Sequence, residues 1–368
     1  MRCTVPKWSD FGNIFSTLRE IDVNAIREEA ERPFVITCIG HNTALDALDR
    51  LLHQGHERYP AAGPDPLDIV PLARAAERAN GLGSVDMLIL AIDARNTLSA
   101  AELAAFGRLE ALPVPFLVAL LYGDQTQAGQ AFLSPMLRAR TVAILDPQAL
   151  DAADRLATAV LARLPGELHL AAARLLPGLR AIFARDLISS VAFTNATYAL
   201  ASGLPEQIPL VNVPFAAADI LVLTKNQALL VYRLALAYGA PPDFQARIRE
   251  VLPVVGGAFL WRQAARSLVG LIPVWGLVPK IAVSYAGTYT TGVTAWRWYE
   301  SGDLVSTEQI KRISSEAIAQ GRKRAAELIA RARSSAAEIG AAERPSLGER
   351  LGRLNPFRRK PRELPPSQ

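Results

Sequence analysis

The stretch "FVITCIGHNTALDALDRLL", residues 34 to 52, has the order of parts that could grip a phosphate: an apolar run, a glycine turn, then a helix. A nucleotide loop needs glycines so that backbone N–H groups can wrap the phosphates. It also needs a lysine for the β and γ oxygens and a Ser or Thr for magnesium, spaced as G-x-x-x-x-G-K-[ST]. Here Gly40 is followed by His41, Asn42, Thr43, Ala44, Leu45 and Asp46. The second glycine and the lysine are missing, and the Asp46 carboxylate would repel a phosphate. Thr43 is left to cap the helix. Gly40 and Thr43 therefore read as remnants, and the turn as a packing device.

Other chemistry is equally sparse. His41, His53 and His56 lie close in the chain, but zinc wants a third ligand and supporting partners, so no metal site is expected. Glu57 beside them faces elsewhere on a helix. No G-x-S-x-G elbow and no catalytic Cys–His pairing occurs. The two cysteines, Cys3 and Cys38, have no near partner, which suits a reducing compartment. No catalytic residue and no cofactor is expected.

The elements around these residues form two patterns. From 34 to about 165, apolar β-branched runs alternate with helical spacing: "FVITCIG", "VDMLILAID", "VPFLVALLYG" and "TVAILD", with helices between them and "ALDAADRLATAVLARL" at the end. Continuous apolar strands between helices predict a doubly wound parallel sheet covered on both faces. Asp86 and Asp93 fall at strand ends and read as turn and cap residues. The proline-rich segment 56 to 84 reads as coil. After 166 the strands stop and apolar helices follow, including a long one ended by Gly239 and a polar amphipathic one from 306 to 339. Residues 8 to 32 read as an amphipathic helix, broken near Asp22 and ended by Pro33. The expected fold is α/β plus all-α, divided at 1–33, 34–165, 166–340 and a basic disordered tail at 341–368.

Two resemblances follow from these segments. "SVDMLILAIDARNTLSAAELAAFGRL" and "VPFLVALLYGDQT" resemble the central strand and the guanine-reading strand of Era-like small GTPases. Leu121, Tyr122, Gly123 and Asp124 stand where that family has N-K-x-D, so only Asp124 is retained. The resemblance implies a degenerate P-loop GTPase-like domain without base recognition. Residues 166–325 resemble the GTPase-associated helical family catalogued as domain of unknown function 697. Ile272, Pro273 and Gly276 match its I-P-x-x-G turn. Tyr285, Thr288, Tyr289 and Gly292 match the helix that follows, and "LTKNQ" at 223–227 also fits. That resemblance implies membrane association and no particular activity.

The chain is apolar for a globular protein, with 50 % hydrophobic residues and a mean hydropathy of +0.16. Its net charge is +5. The excess sits mostly after residue 341, where seven basic residues face three acidic ones. Few aromatics accompany that charge, so nucleic acid is not an expected partner. Trp261, Trp275, Trp296 and Trp298 cluster beside Lys280 and Arg297, a composition suited to a lipid–water interface. Segments 251–261 and 267–279 are short or proline-broken for a spanning helix, so 267–298 reads as a re-entrant hairpin or a kinked pair. Asp219, Lys225 and Asn226 read as part of an internal polar network or an exposed face. The N-terminus has no secretory h-region.

The expectation is a non-enzymatic, membrane-associated scaffold or regulator at the cytoplasmic face, with a pseudo-GTPase domain. An NTPase with a diverged phosphate loop and a soluble helical interaction module in the cytoplasm are the alternatives. A membrane partner is expected and a protein partner is the alternative; nucleotide is not expected.

Overall fold

Five apolar segments find their backbone partners in one another. The computed structural model describes residues 22–55, 59, 63–74, 84–124, 126, 135–201, 217–250, 277–303 and 305–342. Strands β1 (Ile36–Gly40), β2 (Leu67–Pro71), β3 (Met87–Asp93), β4 (Phe116–Leu121) and β5 (Thr141–Ile144) form one parallel sheet in the order β2-β1-β3-β4-β5. That is one of the two common doubly wound orders, and its switch point lies between β1 and β3. The expected α/β class is the one found. The segment read as proline-rich coil is corrected by β2. Its Asp68 and Pro71 and its exposed Ile69 hide an edge strand, where proline is tolerated and apolar alternation is weak.

Helices α1 (Asn24–Ala30), α2 (Asn42–His53), α3 (Ala100–Glu110), α4 (Pro135–Ala139) and α5 (Ala152–Leu161) accompany the sheet. Side chains alternate between the two covered faces along the strands as a pleat requires. Cys38, Ile89 and Leu117 face α2 and α5, while Ile39, Leu90 and Val118 face Phe106 and Leu109 of α3 and Leu137 of α4. In α2, Ala44, Leu45, Leu48, Leu51 and Leu52 recur at helical spacing and are buried. Each such leucine contributes about 1.5–3 kcal/mol by leaving water.

The helical half comprises α6 (His169–Leu175), α7 (Arg180–Ala201), α8 (Ala217–Ala237), α9 (Leu277–Ser301) and α10 (Thr307–Ala342). Residues 244–250 are also helical. Pro279 sits in the first turn of α9, where its missing N–H breaks no intrahelical bond. So α9 runs straight through the region read as a hairpin from 277 onward; the turn at 267–276, with Ile272, Pro273 and Gly276, lies outside the described residues. The rest of the family-like motif has packing reasons. A Cβ on Gly292 would stand 2.8 Å from Ile188 and 3.1 Å from Leu230, so α7, α8 and α9 meet closely there. Tyr285 and Tyr289 stack with ring centroids 5.8 Å apart. Among the described residues no helix is long and apolar enough to cross a membrane.

One hydrophobic cluster runs from the sheet through α2 and α5 into α6, α7, α8 and α9. The seam is the single turn 177–179. A Cβ on Gly178 would lie 2.1 Å from the Leu51 carbonyl oxygen, and one on Gly55 would lie 2.7 Å from Pro177 Cβ. Helix α1 packs on α6 and α8 through Ile26 and Ala30, and Glu29 pairs with Arg233 at 2.7 Å. This helix is therefore an attached part of the core as well as a solvated face.

Gly178→Ala is expected to lower unfolding free energy by about 3 kcal/mol in urea titrations, because the added methyl meets backbone. Gly107→Ala, in α3, meets nothing within 4 Å. It should instead leave stability unchanged or raise it by up to about 1 kcal/mol.

Candidate functional site

In an open α/β sheet the ligand crevice lies beyond the strand carboxyl ends at the switch point. Here that is the space between the ends of β1 and β3. Gly40 closes β1 where a Cβ would lie 1.9 Å from the Ala91 carbonyl oxygen. The glycine is therefore required by close strand approach and not by a phosphate. His41 follows as the N-cap of α2, without a side-chain cap bond. The sequence reading gave the capping role to Thr43, and this is corrected. Thr43 lies inside the first turn, and its hydroxyl donates to Asp93 Oδ2 at 2.6 Å.

Asp93 ends β3 and is 2 % exposed, so it is no simple turn residue. Its Oδ1 accepts Arg95 Nε at 2.9 Å and its Oδ2 accepts Arg95 Nη2 at 2.6 Å, a two-pronged ion pair. The Arg95 backbone N–H adds a bond to Oδ1 at 3.0 Å. These bonds, led by the Arg95 side chain and joined by Thr43, hold the Asp93 carboxyl well below the usual carboxylate range against the opposing effect of burial. The carboxylate lies at the first turn of α2, where a helix dipole favours negative charge. Its one hydrogen bond to that helix start, among the described residues, is with the Thr43 hydroxyl.

The wall is completed from two sides. His41 Nδ1 accepts the Asp93 N–H at 3.1 Å, which puts the ring proton on Nε2, facing Glu102 Oε1 at 3.4 Å. Glu102 also closes a capping box with Ser99 at the start of α3, and those Ser99 bonds lower its carboxyl below the usual range. On the other side the Arg95 guanidinium lies 3.8 Å over the Tyr122 ring. Tyr122 holds φ 61°, a left-handed backbone that bulky residues rarely adopt. Sequence reasoning singled out neither His41's partner nor Arg95. The D-A-R spacing at 93–95 was the available signal for the pair.

The remaining candidates separate. Asp124 is exposed and its carboxylate accepts the Thr126 N–H at 2.9 Å, so it shapes its own loop. Asp86 bonds the Val35 N–H at 2.8 Å and holds the start of β1. Trp261 and Trp275 lie outside the described residues, and Lys280 belongs to the first turn of α9. Trp296 donates its indole N–H to the Tyr238 hydroxyl, and Trp298 donates to Glu250 Oε1 at 3.2 Å. Arg297 between them is half-buried. In the network expected around Asn226, that side chain donates to Asn195 Oδ1 at 2.6 Å, and Asn195 donates to Thr288 Oγ1 at 2.8 Å. Lys225 is exposed.

Asp93→Asn removes a charge that folding favours. A depressed native pKa contributes stability above the unfolded value of about 3.9, which is lost as pH falls toward the native value. Denaturation at pH 7 should show the variant less stable by on the order of 3 kcal/mol. The gap between the two proteins should shrink steadily below about pH 4. A gap unchanged from pH 7 to pH 2 would contradict this account. No protein-family model matches the chain, and no curated protein matches it.

Proposed function

We propose that this chain is a non-enzymatic scaffold or regulatory protein in which a pseudo-GTPase α/β half carries a helical half. The observation that supports this reading is the Asp93 carboxylate, tied to Thr43 and Arg95 at the first turn of α2. A nucleotide would have to bring its phosphates against that buried charge, without a lysine to offset the repulsion. The NTPase alternative must break the ion pair before it can bind substrate. The resemblances to Era-like GTPases over 34–165 and to the GTPase-associated helical family over 166–325 belong to this same proposal and rest on the residues that carry them.

Membrane contact at the cytoplasmic face is the second part of the proposal. Trp296 and Trp298 already have hydrogen-bond partners inside the protein. The part therefore rests on the apolar segment 251–276, with Trp261 and Trp275, and on the basic residues after 341. Basic residues near an anionic leaflet are worth about 1 kcal/mol each. A soluble helical interaction module remains the competing reading of the same segments.

Calorimetric titration of the whole chain with magnesium and GTP, GDP or ATP to about 1 mM should give no saturable heat, which bounds affinity below the weakest specific binding. Micromolar binding would overturn the non-enzymatic reading. Flotation should carry the chain with anionic vesicles, in a salt-sensitive way, and replacing Trp261 and Trp275 by alanine should weaken it. A chain that stays in the aqueous layer with both anionic and neutral vesicles would overturn the membrane part.

A further inference from the structure

Residues 54–66 carry the chain from α2 to the edge strand β2, and one of them is tied to the helical half. Tyr59 donates its hydroxyl to Glu250 Oε1 at 3.0 Å, across 191 positions of sequence. Trp298, near the end of α9, donates its indole N–H to the same oxygen at 3.2 Å. Arg247, one helical turn before Glu250, pairs with Oε2 and donates to the Tyr59 hydroxyl at 3.3 Å. One carboxylate thus gathers donors from the approach to β2, from the helix 244–250 and from α9. The Arg247 and Glu250 side chains are 15 % and 22 % exposed, so the pair is largely withdrawn from water.

The cluster is not fully satisfied. Arg247 Nε is buried and has no hydrogen-bond partner among the described residues. A buried donor without an acceptor is a standing cost of this closed arrangement, and a state that lets water reach the guanidinium removes it. Two states therefore compete. In the closed one the carboxylate keeps its Tyr59 and Trp298 bonds. In the open one those bonds are exchanged for water, and Arg247 gains a full set of partners. Glu250 is also the last described residue before 251–276. The chain beyond it has to return to Leu277, the start of α9, which lies about 30 Å from Trp298 at 1.5 Å per residue. The two ends of that apolar segment are thus held at opposite ends of α9, and the Glu250 end is the one held by Tyr59.

We propose that the Glu250 cluster is a latch between segment 251–276 and the α/β half: contact of that segment with an anionic bilayer opens the Tyr59–Glu250 bond and releases residues 54–66 from the helical half. This rests on the membrane part of the function proposed above. The signal arrives at the edge of the sheet, because Pro66 at the end of the released stretch holds the Ile36 N–H at the start of β1 and leads into β2. By linkage the coupling is reciprocal, so whatever opens the latch tightens the hold on the bilayer by the same factor.

Hydrogen exchange on the whole chain, with and without vesicles containing phosphatidylserine, tests this. Bound to vesicles, the unaltered chain should lose protection over 54–66 while α2 and β3 keep theirs. Tyr59→Phe removes one donor and keeps the ring. It should exchange faster over 54–66 before any vesicle is added, and it should bind the vesicles about 5–10-fold more tightly. Trp298→Phe, which removes the donor from α9, should tighten binding in the same direction. Circular dichroism shows that each variant is folded. A chain that does not bind the vesicles overturns the membrane reading and the latch with it. A chain that binds them with exchange over 54–66 unchanged, or a Tyr59→Phe variant with the parent's affinity, overturns the latch and leaves the membrane reading standing.

Discussion

Two buried guanidinium groups that bind carbonyls at helix ends set the terms for the helical half. Arg174 and Arg180 are 5 % and 4 % exposed. A buried charge is tolerated only when its donors are satisfied. Arg174 donates to the Leu236 and Ala240 carbonyl oxygens at 2.8 and 2.9 Å, at the end of α8. Arg180 donates to the Ala173 and Arg174 carbonyl oxygens at 3.1 Å, at the end of α6. These carbonyls lie at or just beyond two helix C-termini, where a positive charge is also favoured by the dipole. Burial still pulls Arg174 below the ordinary guanidinium value, with Glu31 the largest opposing influence. The end of α8 can offer its carbonyls because Gly239 takes φ 84° and turns the chain away.

From this joint the constraint spreads both ways. Arg180 lies 5.5 Å over the Tyr238 ring, and Tyr238 receives the Trp296 indole, so α7, α8 and α9 are tied to one point. In the other direction the turn 177–179 presses on the last residues of α2, with Gly178 against the Leu51 carbonyl. Helix α2 is then fixed at its end by the helical half and at its start by Asp93. The sheet and the helices do not act as independent bodies joined by a linker, because α2 belongs to both packings.

Much of this was legible in the chain and some was not, for physical reasons. Strands β1, β3, β4 and β5 announce themselves as continuous apolar runs, since a sheet covered on both faces asks for that composition. β2 carries Asp68, Pro71 and an exposed Ile69 at the sheet edge, and so reads as coil. The absence of a phosphate-loop lysine and second glycine was plain at Gly40. The contacts that surround it were not, because Thr43 and Asp93 meet across fifty positions and His41 and Glu102 across sixty-one. Arg174 and Arg180 escaped notice for a different reason. An arginine in a helical pattern is ordinarily exposed, and only the fold shows which helix end it faces.

The switch point is fixed by contacts within the chain. A left-handed backbone at a bulky residue costs about 1–3 kcal/mol and persists only where neighbours over-determine it. At Tyr122 those neighbours are the Arg95 guanidinium 3.8 Å over its ring and the Ile144 carbonyl, which accepts its N–H at 2.8 Å. Arg95 is held by Asp93, Asp93 by Thr43 and by the start of α2, and α2 by the seam beneath it. Each contact in this series is internal, so the geometry does not wait for an anion to complete it. A crevice organised in this way exposes one face of Arg95 to water while keeping the carboxylate inside. Its stability therefore depends on side chains the chain supplies for itself.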